Sequence, residues 1–312
     1  ETSPRAGSTP VAADGRVRAT PLARRLARSY GLGSAAIPGS GRRERVEKAD
    51  VLAAAGKAAR EPSTGEVSFA SLKRGRMAFL DSGGAGEPIL LLHGFAGDRT
   101  TWAAVQSGLR RAGRRVIVPD LPGHGLTGIE ADTVADLGAD LDDLLDHLGV
   151  ARVSMVAHSL GAAAGLAFAA KSPERVSALT LIAPAGLGSE IDTEFVEGMA
   201  RATTPGEVAH LLRRLSVQPA ELSSSALAQL AGELSRGRLG RLGEAVAGPR
   251  GQRVDTLSTI NGLAGSLPLK VVFGLEDRII PWRQVTALPP TVEIHLLARS
   301  GHMPQWDQAR DV

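Results

Sequence analysis

The sequence predicts an α/β protein: a mostly parallel sheet covered by helices on both faces, preceded by a small all-α hairpin. Three observations carry this. From residue 88 onward, short continuous apolar runs (PILLLHGF, RRVIVPDL, ARVSMVAHS, RVSALTLIAP, LPLKVVFG) alternate with stretches of helical periodicity. Strands that are apolar at nearly every residue are buried on both faces, as in parallel sheets clothed with helices. The alternation stops over residues 186–262, where GEVAHLLRRL and SALAQLAGELSRG read as helices and no convincing strand is found; a helical insertion lying over the sheet is expected there. The front of the chain differs in charge. Residues 1–60 hold 12 Lys/Arg against 5 Asp/Glu, a net of +7, so the remainder carries −4 of the overall +3.

The elements follow in order. Residues 1–16 are low in complexity and read as a linker. Thr20-Pro21 opens a helix, with a capping hydroxyl and proline at the first helical position. Leu22, Ala23, Leu26 and Tyr30 share one face, and Gly31 and Gly33 stop the helix. IPGSG is a loop and EKADVLAAAGKAA a second helix, giving a two-helix domain over 17–54; residues 55–65 form a further linker and residues 66–312 the α/β domain. EVSFASL and RMAFLDSG alternate as an antiparallel hairpin, and the strand–helix alternation then runs to TVEIHLLARSGH.

Composition excludes several function classes. With 43% hydrophobic and 22% charged residues the chain is an ordinary globular one. No apolar run approaches the ~18–20 residues of a membrane span, and residues 1–16 have no apolar core of a signal peptide. The absence of cysteine excludes disulfides, thiolate metal sites and a cysteine nucleophile, and fits a reducing cytoplasm. No His/Asp/Glu cluster has metal-ligand spacing and no glycine-rich loop follows a buried strand, so no metal is expected. The chain opens on Glu1 and closes on Val312 in what reads as the start of a helix, and is expected to be a fragment.

The chemistry-bearing stretch is VSMVAHSLG, a buried strand running straight into a helix with Ser159 at the junction. Such a turn lifts the hydroxyl out at the strand end and needs small neighbours, because strand and helix backbones pack closely. Gly161 meets that need; Ala157 stands where the usual pattern has glycine. A serine hydroxyl needs a histidine base oriented by a carboxylate. Asp277 in VVFGLEDRIIP and His302 in LLARSGHMP each follow a strand, with Glu276 as the rival to Asp277. HGFAG after an earlier strand offers the backbone N–H of Phe95, which with that of Leu160 would form an oxyanion hole. His158, His93 and His124 read as structural, the last two as loop-holding residues, and His147, His210 and His295 as surface or helix residues.

With the order Ser159, Asp277, His302 and the loop DLPGHG, residues 66–312 resemble the α/β-hydrolase superfamily, which implies that fold with a helical cap over about 186–262. The front segment, with TPLARRLA, IPGSG and the run from Arg45 to Leu52, resembles the peripheral subunit-binding domain of 2-oxo acid dehydrogenase acyltransferases. It departs from that family at Arg42 and Glu44, where proline and glycine are usual, and at Glu47, where a hydroxyl commonly caps the second helix. The resemblance implies docking of dihydrolipoamide dehydrogenase or the decarboxylase component through basic side chains, and by position Arg24, Arg28, Arg43, Arg45 and Lys48 are the candidates. It does not imply binding to nucleic acid or a membrane.

No HxxxDG motif of the usual acyltransferase domain is present. A subunit-binding domain joined to an α/β-hydrolase domain resembles instead the acetyltransferase subunit of acetoin dehydrogenase complexes. That resemblance implies an oligomeric core and transfer of acetyl from a dihydrolipoyl group, carried on a lipoyl domain outside this sequence, to coenzyme A through an acyl-serine. Two alternatives stand beside it: a serine esterase or thioesterase tethered to the complex, and an inactive recruiting scaffold.

Overall fold

The computed structural model describes residues 18–29, 37–42, 45–51, 66–217 and 222–312. The chain divides into two compact units, Glu1–Ser63 and Thr64–Val312, and each is described by itself.

In the first unit, Thr20 Oγ1 accepts the Ala23 N–H at 3.1 Å and caps helix α1 (Pro21–Ser29). The inward stripe is made of small residues. Ala19, Ala23 and Ala27 are buried together with Ile37, Val46 and Val51, while Leu22, expected on that face, is 49% exposed. The reason is a close backbone approach: the Thr20 N–H donates to Val46 O at 3.0 Å and the Val46 N–H to Arg18 O at 2.8 Å. A row of alanines leaves room for that crossing and a leucine would not. The side chain of Leu26, and Tyr30, Gly31 and Gly33, lie outside the described residues. Residues 48–51 are helical. Glu47 precedes them without a capping hydroxyl, but Asp50 makes up the loss. Its Oδ2 accepts the N–H of Glu47 at 2.8 Å and that of Ser40 at 2.9 Å, and the hydrogen bonds from Ser40 and then Glu47 hold its carboxyl below the usual carboxylate range.

The strands of the second unit are β1 (Ser68–Leu72), β2 (Gly75–Asp81), β3 (Ile89–Leu92), β4 (Val116–Pro119), β5 (Val153–His158), β6 (Val176–Ile182), β7 (Ala247–Gly248), β8 (Gly251–Gln252), β9 (Leu269–Gly274) and β10 (Glu293–Leu297). All but β7 and β8 join one eight-stranded sheet, in the order β1-β2-β4-β3-β5-β6-β9-β10. In that sheet β1 and β2 form an antiparallel hairpin, β2 pairs antiparallel with β4, and every later pairing is parallel. The continuous apolar runs are explained by two buried faces. Leu90, Leu92, Ile117, Leu181, Val271 and Phe273 enter one core, which also receives Leu137, Leu141, Leu145 and Phe168. Their neighbours Ile89, Leu91, Val116, Val118, Ile182 and Val272 enter the other, around Trp102 and Val105. This is the period of two of a strand, with both phases apolar.

Helices α2 (Ala103–Arg111), α3 (Val134–His147) and α4 (Leu160–Lys171) cover the sheet. Between β6 and β9 lie α5 (Thr193–Arg201), α6 (Pro205–Leu212), α7 (Ser224–Leu234), α8 (Gly240–Val246) and α9 (Leu257–Leu263), the helical insertion. It also contains the short antiparallel hairpin of β7 with β8, where the sequence pattern shows no strand. Ladders this short carry no alternation to read, and the hairpin is held from outside: the Gln252 side chain accepts the Gly186 N–H at 2.8 Å and donates to Gly188 O at 2.9 Å. A short helix α10 (Pro304–Asp307) follows β10. No helix among the described residues is long and apolar enough to cross a membrane.

Candidate active site

The strand order places the site. β3 sits between β4 and β5, so successive connections leave it in opposite directions, and a crevice opens at the carboxyl ends of β3 and β5. The loop after β3 carries Gly94 and Phe95, and Ser159 follows β5 directly.

Ser159 has φ 51° and ψ −115°, a left-handed backbone that an L-residue adopts only under constraint. The Ser159 N–H is held by Ile182 O at 2.9 Å, and its carbonyl accepts the Ala162 N–H at 3.0 Å. Helix α4 starts so close to β3 that a Cβ on Gly161 would lie 2.4 Å from His93 O. The crowding does not extend to Ala157, which stands where glycine is usual. One turn along α4, Gly165 faces it, and even a Cβ built there would stay 3.7 Å from the Ala157 methyl. That is an ordinary contact distance, so helix and strand leave room for the Ala157 methyl.

Ser159, His302 and Asp277 form one hydrogen-bonded chain. Ser159 Oγ lies 3.0 Å from His302 Nε2, and His302 Nδ1 lies 2.8 Å from Asp277 Oδ2. The imidazole and carboxylate are 3% and 0% exposed. The other carboxylate oxygen accepts the N–H groups of Ile279 at 2.8 Å and Ile280 at 2.9 Å, so Asp277 is fixed from both sides. Glu276, the sequence rival, is exposed, and among the described residues its side chain has no hydrogen bond or ion pair with His302; its N–H donates to Ser300 O at 2.9 Å. Among the described residues no internal hydrogen bond uses the backbone N–H of Phe95 or Leu160, the two groups expected to face an oxyanion. Leu160 is the first residue of α4, where an N–H has no partner within the helix.

Three buried histidines surround this chain and are neutral. His93 Nε2 accepts the Leu121 N–H at 2.9 Å, so Nδ1–H donates to Gly94 O at 2.9 Å and ties the loop after β3 to the loop after β4. His124 Nδ1–H donates to Pro122 O at 2.9 Å, and burial, then the neighbouring His93, push its pKa down to about 3. His158 Nε2–H donates to the carbonyl of His302 at 2.8 Å; burial first, and the His302 imidazole next, hold it well below the usual histidine range. That bond makes His158 a support of the histidine facing Ser159, a role its position beside Ser159 did not reveal. Asp307 adds another, accepting the Gly301 N–H at 2.8 Å while the Ser216 hydroxyl donates to its second oxygen. His147, His210 and His295 are exposed, on α3, α6 and β10.

Asp120, fully buried, pins the rim. Its Oδ2 pairs with Arg99 Nη1 at 2.6 Å and accepts the Leu126 N–H at 2.9 Å, and its Oδ1 accepts the Arg99 N–H at 2.8 Å. Above Ser159 lies a pocket of about 310 Å³ between the sheet loops and the helical insertion, floored by Gly94, His158, Ser159 and His302 and roofed by Phe195, Met199, Leu230 and Leu234. Among the described residues no group of three or more His, Asp or Glu side chains could hold a metal ion.

The candidate docking residues of the first unit are only partly described. Arg24 and Lys48 are exposed. Arg45 is paired within its own unit, its guanidinium donating to Glu47 Oε1 at 2.9 and 3.0 Å. The side chain of Arg28 and all of Arg43 lie outside the described residues, as does Glu44.

Comparison with known proteins agrees with both units. Residues 17–52 match the e3 binding domain. A dihydrolipoyllysine-residue acetyltransferase component of an acetoin cleaving system from Pseudomonas putida is 34% identical over 236 residues, covering 74% of this chain and 62% of the relative. The component of the same name from Cupriavidus necator is 29% identical over 261 residues, covering 81% of this chain and 69% of its own length. The chain thus spans less than two thirds of the first relative. Among solved structures, a membrane phospholipase A superposes with a TM-score of 0.69 at 20% identity, over 84% of this chain and 88% of its own, a likeness of fold. Residues 87–309 match the alpha/beta hydrolase fold family, and the chain belongs to it.

Proposed function

We propose that this chain is an acyltransferase of an acetoin dehydrogenase-type complex, moving acetyl from a dihydrolipoyl thioester to coenzyme A. One observation carries the reading. A hydrogen-bonded Ser159–His302–Asp277 chain and a segment matching the e3 binding domain stand on the same polypeptide. The names of the two acetyltransferase-component relatives support it.

In this reading His302 Nε2 takes the Ser159 proton as Oγ attacks the thioester carbonyl, and the N–H groups of Phe95 and Leu160 receive the oxyanion. The C–S bond breaks, and the dihydrolipoyl sulfur leaves with the proton from His302. Coenzyme A thiol then gives its proton to His302 and attacks the acetyl-serine carbonyl. The ester C–O bond breaks, Ser159 recovers the proton, and acetyl-CoA departs. Asp277 supports the imidazolium at both stages. One thioester is exchanged for another, so neither oxidant nor metal takes part in the balance. The first unit recruits dihydrolipoamide dehydrogenase or the decarboxylase component, with Arg24, Arg28, Arg43, Arg45 and Lys48 as the proposed contact residues. Such binding weakens as salt screens it over ~10 Å at 0.1 M. The contribution of Arg45 is reduced, because Glu47 already faces it.

The test supplies S-acetyl-dihydrolipoamide with and without coenzyme A. Acetyl-CoA formation that is lost in Ser159→Ala supports the transfer. Acetate release indifferent to coenzyme A overturns it in favour of a hydrolase. No turnover, with dihydrolipoamide dehydrogenase still bound, leaves the scaffold. Docking affinity unchanged between about 50 and about 500 mM salt, settings chosen to span several-fold in screening length, counts against the basic surface.

A further inference from the structure

The helical insertion is bonded to both loops that carry Asp277 and His302. It meets the Asp277 loop at Asp192, the residue before α5, whose N–H donates to Ile279 O at 2.8 Å. The N–H of the same Ile279 donates to Asp277 Oδ1 at 2.8 Å. It meets the His302 loop at Arg214–Ser216, just after α6. Leu215 O accepts the Met303 N–H at 3.0 Å. The Ser216 hydroxyl donates to Asp307, whose other oxygen accepts the Gly301 N–H at 2.8 Å. The fit is close: a Cβ on Gly301 would stand 2.8 Å from Leu215 O.

These two points of the insertion are joined to each other. Arg214 Nη1 pairs with Asp192 Oδ2 at 2.7 Å, and the side chains are only 24% and 17% exposed. Water therefore screens this pair less than it would a fully exposed one. The path closes on itself. It runs from Asp277 to Ile279, to Asp192, to Arg214 and Leu215, to Met303 and His302, and from His302 Nδ1 back to Asp277 at 2.8 Å. Every link is a hydrogen bond or a step along the backbone.

We propose that Asp192 and Arg214 are positioning residues for His302. The imidazole must lie 3.0 Å from Ser159 Oγ and 2.8 Å from Asp277 at the same time. Its loop follows β10 and that of Asp277 follows β9, and the ion pair fixes the two segments that grip them. Neither Asp192 nor Arg214 lines the pocket above Ser159, so the pair acts on the rate of the Ser159 step and not on ligand affinity. The insertion is thereby part of the reacting centre: His302 is held for proton transfer only while both segments are seated. The effect on rate rests on the acyl-serine reading; the closed path rests on the hydrogen bonds alone.

The experiment uses the full chain and an alkyl fluorophosphonate, which labels an activated serine without any acyl acceptor. Mass spectrometry follows labelling of Ser159. Proton NMR follows the His302 Nδ1–H shared with Asp277, assigned by its loss in His302→Gln. Arg214→Met removes one charge of the pair. Asp192→Asn removes the other, yet keeps an oxygen for the Phe195 N–H that caps α5 at 3.0 Å. A misplacement of ~1 Å can cost about a hundredfold in rate, so each variant is expected to label roughly ten- to a hundredfold more slowly at saturation. Half-saturation should change little, and the NMR signal should broaden. The double variant should be no slower than the slower single one, because both cut the same link. Arg214→Lys should restore most of the rate. Glu194→Gln removes the outer partner of Arg214, which is 71% exposed and lies off the path, and should change nothing. Circular dichroism checks that each variant folds. Wild-type labelling and an unmoved signal in folded Arg214→Met or Asp192→Asn overturn the proposal. So does an equal loss in Glu194→Gln, or slower labelling that comes wholly from weaker half-saturation. A wild type inert to the phosphonate counts against the acyl-serine reading instead, and the signal then decides alone: broadened in both variants it supports the positioning role, unmoved it overturns it.

Discussion

The two units solve the same problem, close backbone approach, on very different scales. In Thr64–Val312 the approach of α4 to the end of β3 is made inside two large cores by a single glycine, Gly161 against His93 O. In Glu1–Ser63 the described core consists of six residues, of which three are alanines. The approach of Thr20 to Val46 is held by backbone hydrogen bonds, the Thr20 cap and the Asp50 carboxylate. A large core tolerates a strained residue such as Ser159 because many contacts determine it. A small one has little reserve and relies on polar caps.

Targeted substitutions break or sharpen this contrast. The largest effect is expected from Ser159→Ala, which should lower kcat/KM for S-acetyl-dihydrolipoamide by at least ~10³. Steady-state kinetics check this, and binding of dihydrolipoamide dehydrogenase, measured alongside, should not move. Next is Ile37→Ala. Truncating a buried isoleucine costs about 2–5 kcal/mol, as much as a core this small supplies. Two-transition calorimetry should show the front unit melted and the large unit unchanged; a single shifted transition would mean that the units do not fold separately.

Gly161→Ala follows. With a Cβ 2.4 Å from His93 O, it should destabilise the large unit by about 1–3 kcal/mol or more. Ala157→Gly should cost only about 0.5–1 kcal/mol, the penalty of glycine in a strand. Denaturant titration of the two variants checks both values, and a cost at Ala157→Gly as large as that at Gly161→Ala would contradict the difference in crowding. The smallest effect on activity is expected of His158→Phe. It leaves the His302 carbonyl unpaired at a cost of about 1–3 kcal/mol. If His158 holds His302 in place, kcat should fall roughly tenfold, the equivalent of ~1.4 kcal/mol, with KM little changed. A loss of stability with kcat intact would reduce His158 to packing.

Much of the site is legible in residues that act locally. A buried strand running into a helix at Ser159, and loops after strands at Asp277 and His302, are short patterns contiguous in the chain. What escapes such a reading depends on partners far along the chain. Asp277 and Glu276 are neighbours in one turn, and only the position of His302 separates them, leaving one carboxylate buried and the other exposed. The support of His302 by His158 spans 144 positions, and the short β7–β8 hairpin is held by hydrogen bonds from Gln252 to a loop 64 and 66 positions away. Leu22 turns outward for the same reason. Helical spacing says which residues share a face, but the crossing at Val46 decides which face turns inward.

The sequence by itself therefore determined the order of elements, the two-faced burial of the sheet and the residue types available for chemistry. These follow from periodicity and from the conformational preferences of single residues. Only the tertiary structure decided which carboxylate meets His302, why Ala157 is admissible, and how large and how polar the pocket above Ser159 is. Each of those is a distance between segments remote in sequence, set by how the helices pack on the sheet rather than by any local preference.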